Sequence, residues 1–498
     1  MTPISNEERY DVIVVGGGNT GLVTALRAHE AGAKVLVLEK APKAFRGGNG
    51  YFTTGIYRVV QNGIEDCKDL IPDLIEEERN LEITPYTSDE FFSDYMRITG
   101  GMVDPELMEM IIEHSTEAIR WMVKKQGLKM ELNTGSLRRV NDRLVFFGNM
   151  PIQAKGAGAG LSDALYSTVE QRGIELLYET AATKLLVDLN GRVYGLTAHS
   201  KDTFQDIKSK AVILSCGGFE SNPEWRARYL GKNWDLVKVR GTRYNMGDGL
   251  KMTMDIGAQP TGHWSSCHAI FIEADAPQPA IREDTEKTSK RAYAYGLVVN
   301  VDGKRFVDEG EDQIAFTYAR YGQYVLEQPQ RIAFQIFDSK IHPFLRTISD
   351  YSAASYIEGD TIEELAEKLA VNPQFVATTV KEYNESTRPG GALTIPDRTG
   401  MENKHTEGIS PPKSNWAYPI DTPPFYAYPI VCGITFTFGG LKVNQRAQVL
   451  DTLDQPIPGL YASGEIIGGL FYNNYPGACG QMTGVVFARI AGANAATD

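Results

Sequence analysis

Gly16, Gly18 and Gly21, with Asn19 and Thr20 between them, follow the apolar run Tyr10-Asp-Val-Ile-Val-Val and open an amphipathic stretch. Strand, glycine turn and helix in that order are the parts of a dinucleotide cradle. Gly16 permits the tight turn, Gly18 lets the backbone approach a pyrophosphate, and Gly21 lets the helix pack close to the strand. A pyrophosphate would rest on the helix N-terminus, where orphan N–H groups and the dipole favour negative charge. Val35-Leu-Val-Leu reads as the second strand, and Glu39 closes it, placed to hydrogen-bond ribose hydroxyls. The motif by itself does not distinguish NAD from FAD.

Three further clusters could do chemistry. Lys40-Ala-Pro-Lys-Ala-Phe-Arg46-Gly47-Gly48-Asn49-Gly50 is a glycine-rich loop with a cation at Arg46. Thr261-Gly-His263-Trp264-Ser265-Ser266-Cys267-His268-Ala269 gathers two of the seven histidines. That pair reads as substrate contact, as structural hydrogen bonding or as metal ligation. The spacing is not that of a zinc set, and Cys267 lacks a second cysteine. Gly217-Gly218 and Gly464-Glu465 each end an apolar, strand-like run; Gly217, Gly218, Gly439 and Gly440 suit either plain turns or close backbone approach to a cofactor.

The elements that must position these residues follow a nucleotide domain, an insertion, and a return to the nucleotide domain. Residues 62–130 read as mostly helical, including the charged Asp73–Leu81 and a helix with Pro105 early in its first turn. Another helix opens after Lys155-Gly156. Short strands follow at Ile174, Ala182 and Val193, with a turn at Leu189-Asn190-Gly191. Ala211-Val-Ile-Leu suits a buried parallel strand, and Asn245-Met-Gly247-Asp248 begins a helix. Composition shifts after about residue 262 towards Trp-, Pro- and Tyr-rich segments, with an acidic helix at Thr361–Ala370 and a loop near Arg388–Pro396. The strand pattern returns at Gly433–Val443, and a small-residue helix runs from Thr483. The expected division is residues 1–262 with 430–498, and an inserted 263–429.

Bulk properties narrow the class. The 498 residues exceed the size at which a single core stops growing. A net charge of −13 argues against a nucleic-acid surface or an anionic membrane as partner. The five cysteines are scattered without a CxxC, which excludes a ferredoxin-like cluster, a CxxCH haem site and a disulfide framework. The polar start, Met1-Thr-Pro-Ile-Ser-Asn-Glu-Glu-Arg, lacks a signal-like apolar region, and no apolar run reaches membrane-spanning length. The expectation is a cytoplasmic protein without a metal site.

Taken in order, these motifs resemble one flavoprotein class: fumarate reductase, succinate dehydrogenase, aspartate oxidase and 3-ketosteroid dehydrogenase, with the tricarballylate dehydrogenase branch nearest. The likeness runs through Gly16–Gly21 with Glu39, Arg46-Gly-Gly-Asn49, Ile213-Leu-Ser-Cys-Gly-Gly-Phe219 and Gly247-Asp248-Gly249. It continues through Val299–Gly310 with Arg305-Phe-Val-Asp-Glu309, Thr317–Gly322, Gly433–Gly439, Ser463-Gly464-Glu465 and Leu470–Ala478. The resemblance implies an α/β fold with a Rossmann-like, GR2-type FAD-binding domain and an inserted α+β capping domain over the flavin. It implies FAD, held noncovalently because no histidine stands near the Gly47–Asn49 loop. The cofactor contacts it implies are Gly16, Gly18, Asn19, Thr20, Gly21, Glu39, Lys40, Arg46, Gly47, Gly48, Asn49, Gly217, Gly218, Asp248, Gly464, Glu465 and Gly480.

The same resemblance predicts cations that this chain lacks. The arginine expected four residues after Glu309 is Gln313, and the tricarballylate branch's arginine is Ile314. The histidine before the Thr-x-Gly-Gly segment is Phe436, and the arginine eleven residues after Gly464 is Tyr475. A dicarboxylate would lose charge-assisted bonds worth about 1.5–3 kcal/mol each. Tyr475-Pro476-Gly477-Ala478 instead resembles the ketosteroid dehydrogenase segment in which a tyrosine hydroxyl and a backbone N–H, here of Cys479 or Gly480, hold a ketone oxygen. The implied reaction is desaturation of a ketone, ring ketones included, with hydride passing to the flavin. Base candidates are Tyr472, Tyr318 and Tyr295, then His268. Arg305 and Arg320 read as salt-bridged structural residues. The alternative is a saturated or unsaturated carboxylate clamped by Arg243 or Arg291. The partner is a small carbonyl compound, with oxygen, a quinone or a redox protein taking the electrons.

Overall fold

The computed structural model describes residues 9–140, 143–146, 150–284, 287–387 and 404–498. The loop expected near Arg388–Pro396 lies outside the described residues, as do residues 1–8 at the start. The chain forms two compact units. One comprises residues 1–235, 241–267 and 436–498, and the other residues 236–240 and 268–435.

In the first unit, strand β1 (Arg9–Val15) leads through the glycine turn into helix α1 (Asn19–Glu30) and on to strand β2 (Val35–Leu38). β1 pairs in parallel with β2 on one side, Val12 opposite Val35. On the other side it pairs in parallel with a strand at Thr203–Leu214, Val12 opposite Ala211. A strand buried between two parallel neighbours needs an apolar run rather than alternation, which is what Val12–Val15 supplies. The eight-stranded sheet also holds antiparallel hairpin strands at Thr180–Val187 and Val193–Ser200, Glu175–Leu177 beside β2, and Gln448–Leu450 antiparallel to Pro456–Ala462. Pro456–Ala462 returns late in the chain to pair in parallel with Thr203–Leu214.

Helix boundaries follow their caps. In α2 (Ser88–Thr99) Thr87 and Glu90 form a reciprocal capping box, and Gly100 ends the helix at φ +63°. α3 (Pro105–Gln126) has the Asp104 carboxylate accepting from Leu107 N–H, and ends at Gly127 with φ +70°. The last helix, α4 (Cys479–Thr497), packs against α1 and α3. It begins earlier than the Thr483 expected from composition, because Ala478 takes a left-handed φ of +70° and turns the chain into it. The helix expected across Asp73–Leu81 shrinks to Glu76–Arg79. That segment is charged on all sides, and one short turn without an apolar face does not propagate.

The second unit is built on a sheet in which Leu297–Asn300, Ala333–Asp338 and Phe425–Ile430 pair antiparallel in succession. The strand expected from Gly433 begins at Phe425 and runs to Leu441. Its core is rich in tyrosine, with Tyr293, Tyr295, Tyr321, Tyr351 and Tyr428 buried together. Such phenols need partners when buried. Tyr351 donates to Gln335 Oε1 at 2.5 Å and accepts from Ala292 N–H at 3.0 Å. The acidic helix is found at Ile362–Lys368, capped by Thr361. No described helix is long and apolar enough to cross a membrane.

Candidate active site

The glycine turn between β1 and α1 has one job for each glycine. Gly16, at φ +107°, lies against the Ser215 backbone, and a Cβ on Gly21 would overlap the Gly16 carbonyl oxygen. Gly18 is different. A Cβ there would meet nothing closer than Gly47 O at 3.8 Å, and Gly48 lies across from it. The first turn of α1 carries no side-chain cap and no acidic residue. Its orphan N–H groups therefore face an uncrowded, glycine-walled space, the arrangement that binds phosphate. Asn19 is buried at this helix start, and neither its Oδ1 nor its Nδ2 has a partner. Two orphaned amide atoms beside bare helix amides fit the pyrophosphate of a dinucleotide.

Glu39 is held at the end of β2 by backbone amides. Its carboxylate accepts from Gly17 N–H at 2.9 Å and from Ala41 N–H at 2.7 Å. Burial pushes its pKa up against those bonds. Each oxygen keeps a further lone pair, so the carboxylate can still accept from ribose hydroxyls. Lys40 and Asp248 meet in an ion pair at 2.6 Å. Arg46 stands in the loop that follows β2. It lies over the Tyr166 ring at 4.2 Å and donates to Tyr178 at 3.1 Å. Tyr166 in turn donates to the Gly17 carbonyl, so Arg46 braces the turn from behind.

At the carboxyl ends of Thr203–Leu214 and Pro456–Ala462, the loops bring together Asn49, Gly217, Gly218 and Glu465. Gly217 is left-handed at φ +74°, and a Cβ would overlap the Asn245 amide; one on Gly218 would overlap Thr437 and Glu465. The missing Cβ atoms thus leave room for these protein side chains. Gly464, at φ +80°, makes room for Thr20. Glu465 Oε1 accepts from Thr437 N–H at 3.0 Å. Glu220, which the sequence reading passed over, is fully buried next to it. Its Oε1 accepts from Asn49 Nδ2 at 2.5 Å and Asn245 Nδ2 at 2.6 Å, and Asn245 also reaches Glu465 at 3.5 Å. No described cation is paired with either carboxyl.

Two buried carboxyls in one polar pocket cannot both ionise. Burial and the neighbouring Glu465 raise Glu220 well above the carboxylate range, and burial raises Glu465 to about 7. An acid whose folded pKa is raised stabilises the fold most when protonated. That contribution is present below the ordinary range near 4.5 and lost as pH rises towards 7. Glu220→Gln imitates the protonated acid and keeps an Oε1 for both asparagines. It is expected to raise stability by about 1–3 kcal/mol at pH 8 and to leave it nearly unchanged at pH 5. Urea unfolding at the two pH values checks this; a loss at pH 8 contradicts the shared proton.

An aromatic cluster stands where the dicarboxylate enzymes' cations were expected. Tyr475 packs edge-on against Phe436 and Phe471, both at 5.3 Å between centroids, and Phe438 closes on Phe436 at 5.5 Å. The Tyr475 hydroxyl oxygen accepts from Ala478 N–H at 3.3 Å. Of the two amides expected beside it, that of Cys479 is taken by Pro476 O at 3.1 Å. Gly480 remains. Its N–H lies in the first turn of α4, where no helix carbonyl reaches.

The base candidates fall in both units. In the first, Tyr472 stacks on His263 at 3.9 Å, and His263 Nδ1 accepts from Asn473 N–H at 3.0 Å. In the second, Tyr318 meets His268 edge-on at 5.1 Å. Burial and nearby Arg240 hold the His268 pKa well down, so this ring is neutral. Tyr295 is only 3% exposed, inside the tyrosine core. Arg305 pairs with Glu309 at 2.5 Å and Arg320 pairs with Glu311. Among the described residues no group of three His, Cys, Asp or Glu side chains could hold a metal.

Glu220, Asn245 and Thr437 escaped the sequence reading because their partners come from remote loops. An acidic residue directly after Gly-Gly-Phe was the available signal. Residues 11–481 match the FAD binding domain family. "Probable fumarate reductase Ifc3" of Shewanella frigidimarina is 29% identical over 98% of this chain and 75% of its own length. A 3-oxosteroid 1-dehydrogenase of Mycolicibacterium smegmatis is 25% identical, with 95% of each chain covered. Among solved structures, the open conformation of a flavocytochrome c3 fumarate reductase aligns with a TM-score of 0.74 at 27% identity, covering 99% of this chain and 79% of that one. The chain belongs to the FAD binding domain family and is an FAD-dependent oxidoreductase of the fumarate reductase and ketosteroid dehydrogenase type.

Proposed function

We propose that this enzyme desaturates a neutral ketone between the carbons α and β to its carbonyl. The observation that carries the reading is the aromatic cluster of Phe436, Phe438, Phe471 and Tyr475, with one phenol and the Gly480 amide as donors. Tyr475 O–H and Gly480 N–H would both donate to the ketone oxygen. As the α C–H bond breaks, its proton passes to a protein base and its electron pair moves towards that oxygen, where the two donors hold the developing negative charge. FAD, when bound, supplies the acceptor for the hydride lost from the β-carbon. Tyr472, half-buried in the same unit as Tyr475, is the phenol proposed as base, whereas Tyr295 is enclosed in its core.

The carboxylate reading draws its support from the fumarate reductase relative. Its replacement clamps are otherwise engaged in this chain. Arg291 makes a bidentate pair with Asp350 at 2.8 and 2.7 Å, and Arg243 is exposed with its guanidinium over Phe45. Anaerobic mixing with a panel of ketones and carboxylates separates the two readings. Bleaching of the flavin band is expected with cyclic ketones and not with succinate or tricarballylate. Turnover with a carboxylate alone would overturn the proposal.

A further inference from the structure

We infer that Arg58 is the cation of this site, acting on the substrate oxygen through one peptide group and the Tyr475 hydroxyl. The inference rests on the reading of Tyr475 as a carbonyl donor. Arg58 is wholly buried, and its Nε–H donates to the Gly477 carbonyl at 2.9 Å. That carbonyl belongs to the same amide as the Ala478 N–H, which donates to the Tyr475 hydroxyl oxygen at 3.3 Å. The guanidinium, the Gly477–Ala478 peptide and the phenol therefore form one directed chain that ends at the Tyr475 proton. Each bond in such a chain polarises the next, and a low-dielectric setting strengthens the effect. A cation at its head makes the phenol a stronger donor exactly when negative charge grows beyond it.

The surroundings of Arg58 moderate this pull. Nη1 donates to the Tyr86 hydroxyl at 2.9 Å, and Tyr86 donates to Asp94 Oδ2 at 2.9 Å. Asp94 itself lies 3.7 Å from Nη1 and keeps 19% of its side chain exposed. Its negative charge, partly in solvent, offsets the guanidinium from the far side of the chain. The other ends of the strap are fixed independently. Tyr95 donates to Leu470 O at 2.8 Å, and the Asn474 side chain accepts from Tyr475 N–H at 2.9 Å. A change at Arg58 or Asp94 thus acts first on the polarisation of the Gly477–Ala478 peptide. Arg58 is a positioning residue with a charge, not a group that touches substrate.

The test uses 4-fluorophenol as an enolate mimic bound to the holoenzyme, with its ionisation followed by fluorine NMR across a pH series. The wild type is expected to bind the phenolate in preference to the phenol. Arg58→Gln should weaken that preference about tenfold, an upward shift of about one pH unit in the bound phenol's midpoint. Asp94→Asn should strengthen it about threefold, a change of opposite sign that a merely structural role would not produce. Because Asp94 is partly exposed, this second variant keeps the test decisive where Arg58→Gln does not fold. Equal midpoints in the wild type and the folded variants overturn the role of Arg58. A wild type that binds no phenolate and is bleached by no ketone overturns instead the reading of Tyr475.

Discussion

Tyr475→Phe is expected to lower the rate of ketone-dependent flavin reduction by about 10²- to 10³-fold, with the flavin still bound. This is the usual loss when one oxyanion donor is removed. The substitution deletes the hydroxyl and keeps the ring, so the edge-on contacts at 5.3 Å with Phe436 and Phe471 survive. The fold loses the long bond from Ala478 N–H, about 1 kcal/mol or less. The donor matters most as charge develops on the substrate oxygen, so kcat and kcat/KM should fall together while KM moves little. Gly480 N–H remains as a second donor, which sets the residual rate above that of the uncatalysed reaction. Stopped-flow bleaching under anaerobic conditions measures the effect. A variant within threefold of the wild type would remove Tyr475 from the chemistry.

The contrast between what could and could not be read from the sequence follows the range of the interactions. The glycine turn, Glu39 and the Val12–Val15 run are contiguous, and each is constrained by its own chain neighbours. The strand that meets the glycine turn at Gly464, with Glu465 just beyond it, was legible for the same reason, whereas its pairing beside Thr203–Leu214 is a long-range contact that was not. Phe436 and Tyr475 were legible as substitutions in a motif, but their mutual packing depends on the strand at Phe425–Leu441 meeting the 470–478 strap. Glu220 directly follows Gly217-Gly218-Phe219, but its partners, like those of Arg58, left no local signal. Glu220 is held by Asn49 and Asn245, and Arg58 by Gly477, Tyr86 and Asp94, partners distant in sequence.

Two segments that resemblance assigns to the cofactor also have protein neighbours that composition conceals. At Gly217 and Gly218 the atoms that a Cβ would meet are those of Asn245, Thr437 and Glu465. A glycine's sequence context shows that something comes close, not what it is. Arg46, a cofactor contact by resemblance, lies over the Tyr166 ring and donates to the Tyr178 hydroxyl. A planar guanidinium gains from a ring face and a phenol oxygen together, and both are supplied from the segment after Lys155.

Gly21→Ala should be the most damaging single methyl in the first unit. The added Cβ would overlap the Gly16 carbonyl oxygen, a backbone atom with no side-chain freedom to yield. Relief requires α1 to move away from the turn after β1, where Gly16 is itself pressed against Ser215. Overpacking against movable side chains costs typically about 1–3 kcal/mol, and a fixed backbone puts this case at about 3 kcal/mol or more. The same displacement would spread the helix N-terminus from Gly18 and Gly48, so the purified variant should be colourless as well as unstable. Gly127→Ala separates clash from strain. Gly127 caps α3 at φ +70°, but a Cβ there meets nothing within 4 Å. It should therefore cost only the left-handed penalty of about 1 kcal/mol and leave the flavin in place. Urea unfolding with flavin absorbance on both variants decides the matter. A loss at Gly21→Ala no larger than that at Gly127→Ala would mean that helix-to-turn contact is not what the third glycine provides.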